Sequence, residues 1–574
     1  MATEELVFTV LSCVAFMAFV AWISYQKTRG EVDSRDGYFL AGRGLTGVFI
    51  AGSMLLTNLS AEQLIGLNGS AYGYNMSSMA WEVTAGFSTI CMALLFLPKY
   101  LTGAFTTLPE FLSDRFDDSV RRMTVVLFML GYGLVTIPSV LYSGAIAVMR
   151  LFDVPAMLSV SYSQGLVITI LIVGIVGALY AVFGGLKAVA VSDTINGMGL
   201  LAIGVLVPIL GLAALGDGSV LEGVKTVATD HTHKLNAIGD RDDPTPFGTI
   251  FTGMIFANLF YWCTNQYVIQ RTLGAKNLAE GQKGVLFSGF FKVLVPFMMM
   301  MPGVIAFHMY GGKLQSIDLA FPQLIKDVLP VYLSGFFLAV LLGAVFSSFN
   351  SLLNSAATLF CLDIYEPLRK RAPSDSEMIR VAKIASVVIA IFSFFVAPLL
   401  QFAPEGLWQI IRVFTGFYNI PVVAIVIVGL FTKRVPSLGA KIVIVFHVLV
   451  YGLAKFVFDD IVTLHFLHLY AVLFIAEVGI MLAVGRMAPR STPWRIKRKD
   501  EVELTPWRYA LPVSIILFAS IASLYLFFSP IGAAGGFTAL YWPTMAAVML
   551  ATVAGCYVSA RYWHHRYAGA LRNV

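Results

Sequence analysis

The sequence predicts an all-α polytopic membrane protein, and three observations support this fold class. Of the 574 residues, 58% are hydrophobic and 13% are charged, with a mean hydropathy of +0.80. Soluble domains contain about 25% charged residues, so the composition excludes an ordinary cytosolic enzyme. Fifteen apolar segments are long enough to cross a bilayer core of about 30 Å. The connections between these segments are alternately rich and poor in Lys and Arg.

The apolar segments follow one another with short connections. The first six are expected near 6–24, 46–70, 77–98, 121–150, 162–183 and 193–215. After a polar stretch at 216–247, the other nine are expected near 248–271, 283–309, 332–362, 378–400, 407–431, 437–457, 463–485, 508–529 and 538–560. No connection is long enough to hold a soluble catalytic or sensor domain.

The distribution of positive charge predicts the topology. Every second connection is basic, from Lys27–Arg43 after the first segment to Arg561–Arg572 after the last, and Arg115 and Arg271 count among these loop cations. Because cytoplasmic loops carry the Lys and Arg excess, the N-terminus is predicted outside and the C-terminus in the cytoplasm. The net charge of +6 follows from this bias. We therefore expect a lipid bilayer and no nucleic acid as a partner.

Cysteine spacing and sequence motifs argue against an enzyme. The five cysteines lie far apart without CxxC spacing, so neither a disulfide framework nor a zinc site is expected. The chain contains no HExxH, GxxxxGK[ST] or GxSxG motif.

Two apolar segments carry dense polar clusters in the part that would cross the middle of the bilayer. One cluster is Thr57-Asn58-Leu59-Ser60-Ala61-Glu62-Gln63, and the other comprises Asn258, Tyr261, Trp262, Thr264, Asn265 and Gln266. Polar groups at this depth are costly unless they are satisfied. Transporters place their binding sites at interrupted helices in two halves of opposite topology. The pattern favours such a site, with interhelical hydrogen bonding as the alternative.

A third polar position is Ser347-Ser348, inside segment 332–362. Adjacent hydroxyls on a regular helix face different directions, so we expect a locally irregular turn that aims both at one ion. Neutral hydroxyl and carbonyl oxygens suit a monovalent cation that must later leave. Helix packing is the alternative explanation for such a pair.

Four charged residues lie within or at the edge of apolar segments: Glu82, Asp193, Lys292 and Arg412. A charge at such a position is by default a site residue with a partner. A purely structural Glu82–Lys292 pair is the alternative, and Arg412 is a further candidate partner for Glu82.

Several short motifs point to a family. They are Tyr38-Phe39-Leu40-Ala41-Gly42-Arg43, Asn58-Leu59-Ser60-Ala61-Glu62-Gln63, Gly184-Gly185-Leu186-Lys187-Ala188, Tyr261-Trp262-Cys263-Thr264-Asn265-Gln266 and Leu353-Asn354-Ser355-Ala356-Ala357-Thr358. In this order, they make the chain resemble the solute:sodium symporters over nearly its whole length, most closely the bacterial sodium/sugar branch.

The resemblance implies the leucine-transporter fold, with a 5+5 inverted-repeat core and about 14–15 transmembrane helices. Residues 1–45 would form an extra helix and a cytoplasmic loop. The repeats would be 46–215 and 248–431, joined by an external loop at 216–247. Residues 432–574 would add C-terminal helices.

The resemblance also implies two binding sites. Sodium would be bound by the backbone carbonyls of Leu56, Leu59 and Ala344 and the hydroxyls of Ser347 and Ser348, with Asp193 assisting. The solute would contact Gln63, Glu82, Asn258, Tyr261, Lys292 and Arg412, and the outer gate would comprise Leu67, Trp81 and Trp408.

The function that the resemblance implies is sodium-coupled symport of a sugar or sugar-like solute by alternating access, with Na⁺ as the coupling ion, in the inner membrane. The family's galactose transporter has Gln where Arg412 stands and Ser where Ala85 stands. Since Arg suits carboxylates, an acidic sugar or another carboxylate is an alternative solute. An uncoupled facilitative pathway is a second alternative. The pattern indicates no particular oligomeric state.

Overall fold

The structure is a computed structural model that describes residues 3–28, 39–314, 317–369, 371–402, 407–458, 461–499 and 501–572. Helices account for most of these residues, and within them no strand forms beyond the isolated bridges Leu45–Ala275 and Asn277–Glu503. Twelve helices in the described ranges are long and apolar enough to cross a membrane.

The helices of the first half begin with one spanning helix and continue with a broken pair. They are α1 (Thr3–Thr28), α2 (Gly47–Asn58), α3 (Ala61–Gly73), α4 (Met76–Thr102), α5 (Leu108–Arg115), α6 (Asp118–Met149), α7 (Tyr162–Leu215) and α8 (Val220–Thr229).

The second half begins with another broken pair, α9 and α10. Its helices are α9 (Gly253–Leu259), α10 (Gln266–Leu273), α11 (Leu278–Tyr310), α12 (Val331–Leu368), α13 (Asp375–Phe402), α14 (Leu407–Phe431), α15 (Ser437–Phe456), α16 (Phe466–Met487), α17 (Ala510–Phe527) and α18 (Tyr541–Leu571).

Each predicted apolar segment coincides with helix. Twelve segments fall on the long spanning helices, and segment 162–183 falls on the shorter apolar stretch Tyr162–Ala178. The remaining two, 46–70 and 248–271, are the broken pairs α2–α3 and α9–α10. The two interruptions therefore occur in the segments for which the polar clusters predict them.

The basic turn predicted between segments 162–183 and 193–215 falls on a stretch whose side chains lie mostly outside the described residues, so this turn stays a prediction. Gly177 and Asp193 both lie against α12 near Ser347. Sixteen residues of straight helix would separate these two positions by about 24 Å. The apolar parts Tyr162–Ala178 and Ala190–Leu215 therefore flank the same level of α12 and do not form one straight rod.

Helix α12 lies at the centre of the bundle, since 89% of its most apolar 18-residue stretch is buried, compared with 6% of the corresponding stretch of α18. Helices α2 and α7 pack against α12, and α2 also packs against α11. The broken helix α2–α3 is thereby held against the most enclosed part of the molecule.

Two cations that the charge pattern assigns to loops are fully buried. Arg115 ends α5 and donates to the carbonyls of Gly429, Val435 and Thr432, at 2.8, 3.1 and 3.1 Å. It therefore satisfies backbone acceptors at the end of α14. Arg271 lies in α10 and belongs to the site described next.

Candidate functional site

The break between α2 and α3 releases backbone carbonyls. The amide of Ser60, which would reach Leu56 in a continuous helix, donates to Asn58 O at 3.0 Å. The amide of Gln63 likewise donates to Ser60 O at 3.1 Å instead of Leu59 O. The carbonyls of Leu56 and Leu59 thus lose their usual i+4 donors, as expected of groups that could bind a cation. The Leu56 side chain lies outside the described residues.

The break between α9 and α10 is the counterpart, in the second half of the chain, of the break between α2 and α3. A π turn covers Phe260–Thr264, and Asn265 has an extended backbone, with φ −75° and ψ 117°. Its side chain accepts a hydrogen bond from Tyr132 Oη at 2.6 Å. Gln266, predicted as part of the polar cluster, instead caps α5 by accepting from Leu108 N at 2.8 Å.

A cavity of about 70 Å³ lies between the two breaks. Since about 10–15 Å³ suffices for one water, it has room for several. Of the predicted solute contacts, five line this cavity: Gln63, Glu82, Asn258, Tyr261 and Arg412. The structure therefore brings together side chains that are separated by hundreds of residues in the sequence.

Lys292, the sixth predicted contact, lies behind Glu82. The two residues form an ion pair in which the side chains are 0% and 3% exposed. Gln63 Nε2 donates to the other carboxylate oxygen of Glu82 at 2.8 Å, and the Lys292 ammonium lies 5.5 Å from the Trp262 ring centre. Lys292 therefore holds the carboxylate in place and does not itself line the cavity.

Arg412 stacks on an aromatic ring of the cavity wall. Its guanidinium carbon lies 4.3 Å from the Trp81 ring centre, and its backbone carbonyl accepts from Tyr470 Oη at 2.8 Å. Trp81, a predicted gate residue, also lines the cavity, whereas Leu67 is buried in the core away from it. The Trp408 side chain lies outside the described residues.

Asn258 and Tyr261 reach the cavity from α9 and the π turn that follows it. Asn258 Nδ2 donates to Thr84 Oγ1 at 2.9 Å. The amide oxygen of Asn258 is an acceptor that this hydrogen bond does not use. The Tyr261 ring meets that of Tyr267 edge to face, with ring centres 5.7 Å apart. The site thus combines hydrogen-bonding groups with an aromatic wall.

The two adjacent serines of α12 diverge, contrary to the predicted irregular turn. The helix is regular from Val331 to Thr358, so Ser348 lines the cavity while Ser347 lies beside the Asp193 carboxyl. Among the described residues, Ser347 Oγ and Asp193 Oδ1 are buried without a well-formed hydrogen bond. Ala344 lies one turn earlier, and its carbonyl belongs to the regular helix. Hard oxygen atoms are thus present, as a cation requires.

A buried network around Arg271 was not predicted. Arg271 donates to Ser53 Oγ at 3.2 Å, and Ser53 donates to Asp193 Oδ2 at 2.8 Å. Arg271 also donates to Ser351 Oγ, which lies 3.3 Å from the hydroxyl of Thr57 in the cavity wall. The network therefore connects Asp193 with the cavity. A buried Arg at a helix end has the same local sequence pattern as a loop cation.

Other cavity residues were also missed. Thr136 comes from α6, Tyr418 and Asn419 come from α14, and Tyr470 comes from α16 outside the predicted repeats. Isolated polar residues in the apolar segments 121–150 and 407–431 were the available signal for the first three. No local pattern marked Tyr470.

The chain is similar in sequence to known sodium symporters. Residues 38–445 match the model of the sodium:solute symporter family. The chain is 43% identical to the symporter YidK of Escherichia coli (strain K12), over 98% of this chain and 97% of that protein. It is 32% identical to the sodium/glucose cotransporter of Vibrio parahaemolyticus, over 74% of this chain and 80% of that protein.

A solved structure shares the fold. A substrate-bound, outward-open Na⁺-coupled sialic acid symporter superimposes with a TM-score of 0.73 at 21% identity, over 84% of this chain and 99% of that one. The predicted all-helical leucine-transporter fold is thereby confirmed.

Proposed function

Because the chain belongs to the sodium:solute symporter family, we propose that it imports a sugar-like solute together with Na⁺ by alternating access. Family membership makes it a multi-pass membrane transporter, coupled to sodium, and not an enzyme. The sugar-like identity of the solute is the proposal. The observation that carries it is the cavity between the two helix breaks.

The cavity wall matches the chemistry of a sugar. Sugar hydroxyls need donors and acceptors together, and Gln63, Glu82 and Asn258 supply both from three directions. The apolar faces of a sugar ring pack on aromatic planes, and Tyr261 provides one in the cavity wall.

We assign the sodium site to the carbonyls of Leu56, Leu59 and Ala344 and the hydroxyls of Ser347 and Ser348, with Asp193 assisting. The released carbonyls at the α2–α3 break and the buried oxygens of Ser347 and Asp193 support this assignment. Na⁺ there would hold α2 against α12, and solute would bind beside it. Coupling requires that both ligands favour the same conformation, which makes their effects on affinity mutual.

The membrane potential supplies the driving force. Each charge that crosses gains about 2.3 kcal/mol per 100 mV, before any concentration gradient is added. We place the protein in the inner membrane with the N-terminus outside and the C-terminus inside, so that loop 216–247 is external and uptake is inward. The inverted repeats are assigned to 46–215 and 248–431.

An acidic sugar is a second candidate solute, and the position of Arg412 favours it. The guanidinium stacks on Trp81 in the cavity wall, where its planar set of donors suits a carboxylate.

Uptake into proteoliposomes tests the proposal. We expect glucose, galactose or glucuronate to accumulate with Na⁺ outside and not with choline. Ser347→Ala with Ser348→Ala should abolish the sodium dependence, whereas Ser520→Ala with Ser523→Ala, a matched pair on α17, should not. Uptake that is unchanged in choline would overturn sodium coupling. Accumulation of none of these solutes would overturn the sugar assignment alone.

A further inference from the structure

A basic cavity of about 500 Å³ lies where α14 and α16 end, and it shares no lining residue with the solute cavity. Four cations line it: Lys433, Arg434, Arg486 and Arg495. No acidic side chain lines it among the described residues. The cavity therefore concentrates positive charge on the face that the charge pattern predicts to be cytoplasmic.

The backbone around the cavity is fixed by hydrogen bonds. The amides of Arg490 and Trp494 donate to the carbonyls of Arg434 and Lys433, each at 2.8 Å. Trp494 Nε1 donates to Asp114 Oδ2 at 2.9 Å, which engages the nearby carboxylate. These contacts dock the segment after α16 onto the turn after α14, so the backbone that carries Lys433, Arg434 and Arg495 is fixed beside the end of α16.

The buried Arg115 side chain also binds the backbone of this turn. Its three donors reach carbonyls between Gly429 and Val435, and Lys433 and Arg434 in this turn are exposed. Burial, followed by the nearby charge of Arg490, lowers the pKa of Arg115 to about 10.

Apolar side chains flank the basic cavity. Val435 and Leu482 belong to its lining, and Leu482, Leu438 and Met487 are 41%, 53% and 85% exposed. These residues lie at the ends of helices that cross the membrane, where headgroups and acyl chains meet. A ligand that fits this surface carries a phosphate for the cations and hydrocarbon for the flank.

We propose that Lys433, Arg434, Arg486 and Arg495 bind the phosphate of an anionic phospholipid headgroup, with an acyl chain along Leu438 and Leu482. The guanidinium groups match the geometry of phosphate oxygens, and Lys433 adds a point charge. Free inorganic phosphate offers the same anion without the hydrocarbon, so the two sources are distinguishable.

The test uses the full-length protein purified in a neutral detergent and native mass spectrometry of bound lipid. Phosphatidylglycerol is compared with phosphatidylcholine, and inorganic phosphate is added as a competitor. We expect phosphatidylglycerol to bind at least about tenfold more tightly than phosphatidylcholine, and millimolar phosphate not to displace it. Equal retention of the two lipids, or full displacement by phosphate, would overturn the proposal.

Variants separate a defined site from diffuse attraction. Replacing Lys433, Arg434, Arg486 and Arg495 by Gln should weaken phosphatidylglycerol binding by at least about tenfold. A control with the same loss of charge replaces the exposed Arg122, Arg371, Arg380 and Lys497 by Gln and should leave it unchanged. Equal losses in both variants would overturn the site. If the fourfold variant does not fold, Arg486→Gln with Arg495→Gln is compared with Arg371→Gln and Arg380→Gln under the same criterion.

Discussion

Glu82 and Lys292 form an ion pair that joins α4 to α11 with both side chains almost completely removed from solvent. One oxygen of the carboxylate faces Lys292, while the other accepts from Gln63 next to the α2–α3 break. The pair thereby connects three helices around the cavity. The pair is structural, which is the alternative explanation for these two charges. It also fixes Glu82, which lines the cavity.

Breaking this pair should destabilise the protein more than removing it. Lys292→Met leaves a buried carboxylate without its cation, and we expect a loss of about 3–5 kcal/mol in stability. Adding Glu82→Gln should recover much of this loss. Thermal unfolding of the single and double variants measures the coupling. Lys283→Met, which removes a half-buried ion pair with Glu280 in the same helix, is the control and should cost about 1 kcal/mol or less. Additive losses in the double variant would contradict the role of the pair.

Arg271 should contribute to the stability of the bundle although its local sequence resembles that of a loop residue. Arg271→Gln removes the buried positive charge near Asp193 and the Arg donors to Ser53 and Ser351. We expect a lower unfolding temperature together with a weaker apparent affinity for Na⁺. Lys276→Gln, an exposed cation five positions later, should change neither. Equal behaviour of the two variants in unfolding and in Na⁺-dependent uptake would disprove the network's role.

His447 and Glu477 form a buried pair outside the predicted repeats, and the hydrogen bonds of the pair determine how many protons it carries. His447 Nε2 faces the Gly416 carbonyl at 2.9 Å, so it must donate, and Nδ1 lies 2.5 Å from Glu477 Oε1. Nδ1 and Glu477 must therefore share one proton, and the pair is neutral overall. Glu477→Gln keeps a donor to Nδ1 and should be tolerated, whereas Glu477→Ala should cost about 1–3 kcal/mol. Thermal unfolding that shows the same loss for both variants would refute this assignment.

His465 should make the protein sensitive to acid. Burial, followed by the charges of His468 and Lys455, lowers the pKa of His465 to about 4, and its Nδ1 accepts from Leu467 N. The unfolded chain binds a proton near pH 6.5, so stability is full above that pH and falls as the pH drops toward 4. His465→Asn keeps the acceptor and should flatten this part of the pH profile of the unfolding temperature. An unchanged profile would show that other groups control it.

Local patterns predicted the elements better than the contacts between them. The polar clusters around Ser60 and Asn265 predicted both helix breaks, because polar groups at that depth need a reason to be there. Gln63, Glu82 and Asn258, predicted as solute contacts for the same reason, line the cavity, and their contact with a solute stays a prediction.

Long-range pairing accounts for what was missed. The partners of Arg271 come from α2 and α12, and Tyr470 reaches the cavity from a helix outside the predicted repeats. Neither position is distinguishable by its sequence neighbours, since an Arg at a helix end satisfies the charge rule whether it faces water or the core. Ser347 and Ser348 diverge because α12 is a regular helix at this point, whereas an irregular turn was expected.

Arg412 should determine which solute is preferred. Its guanidinium lies against Trp81 in the cavity wall, so a carboxylate on the solute would gain charge-assisted hydrogen bonds that a neutral hexose cannot form. Arg412→Gln removes the charge, and we expect glucuronate uptake to fall by about tenfold to hundredfold while glucose uptake is kept or improved. Competition between the two solutes in proteoliposomes measures the ratio, with Arg508→Gln, an exposed Arg near the Tyr509 ring, as the control. An equal decrease for both solutes would mean that Arg412 supports the wall without selecting the solute.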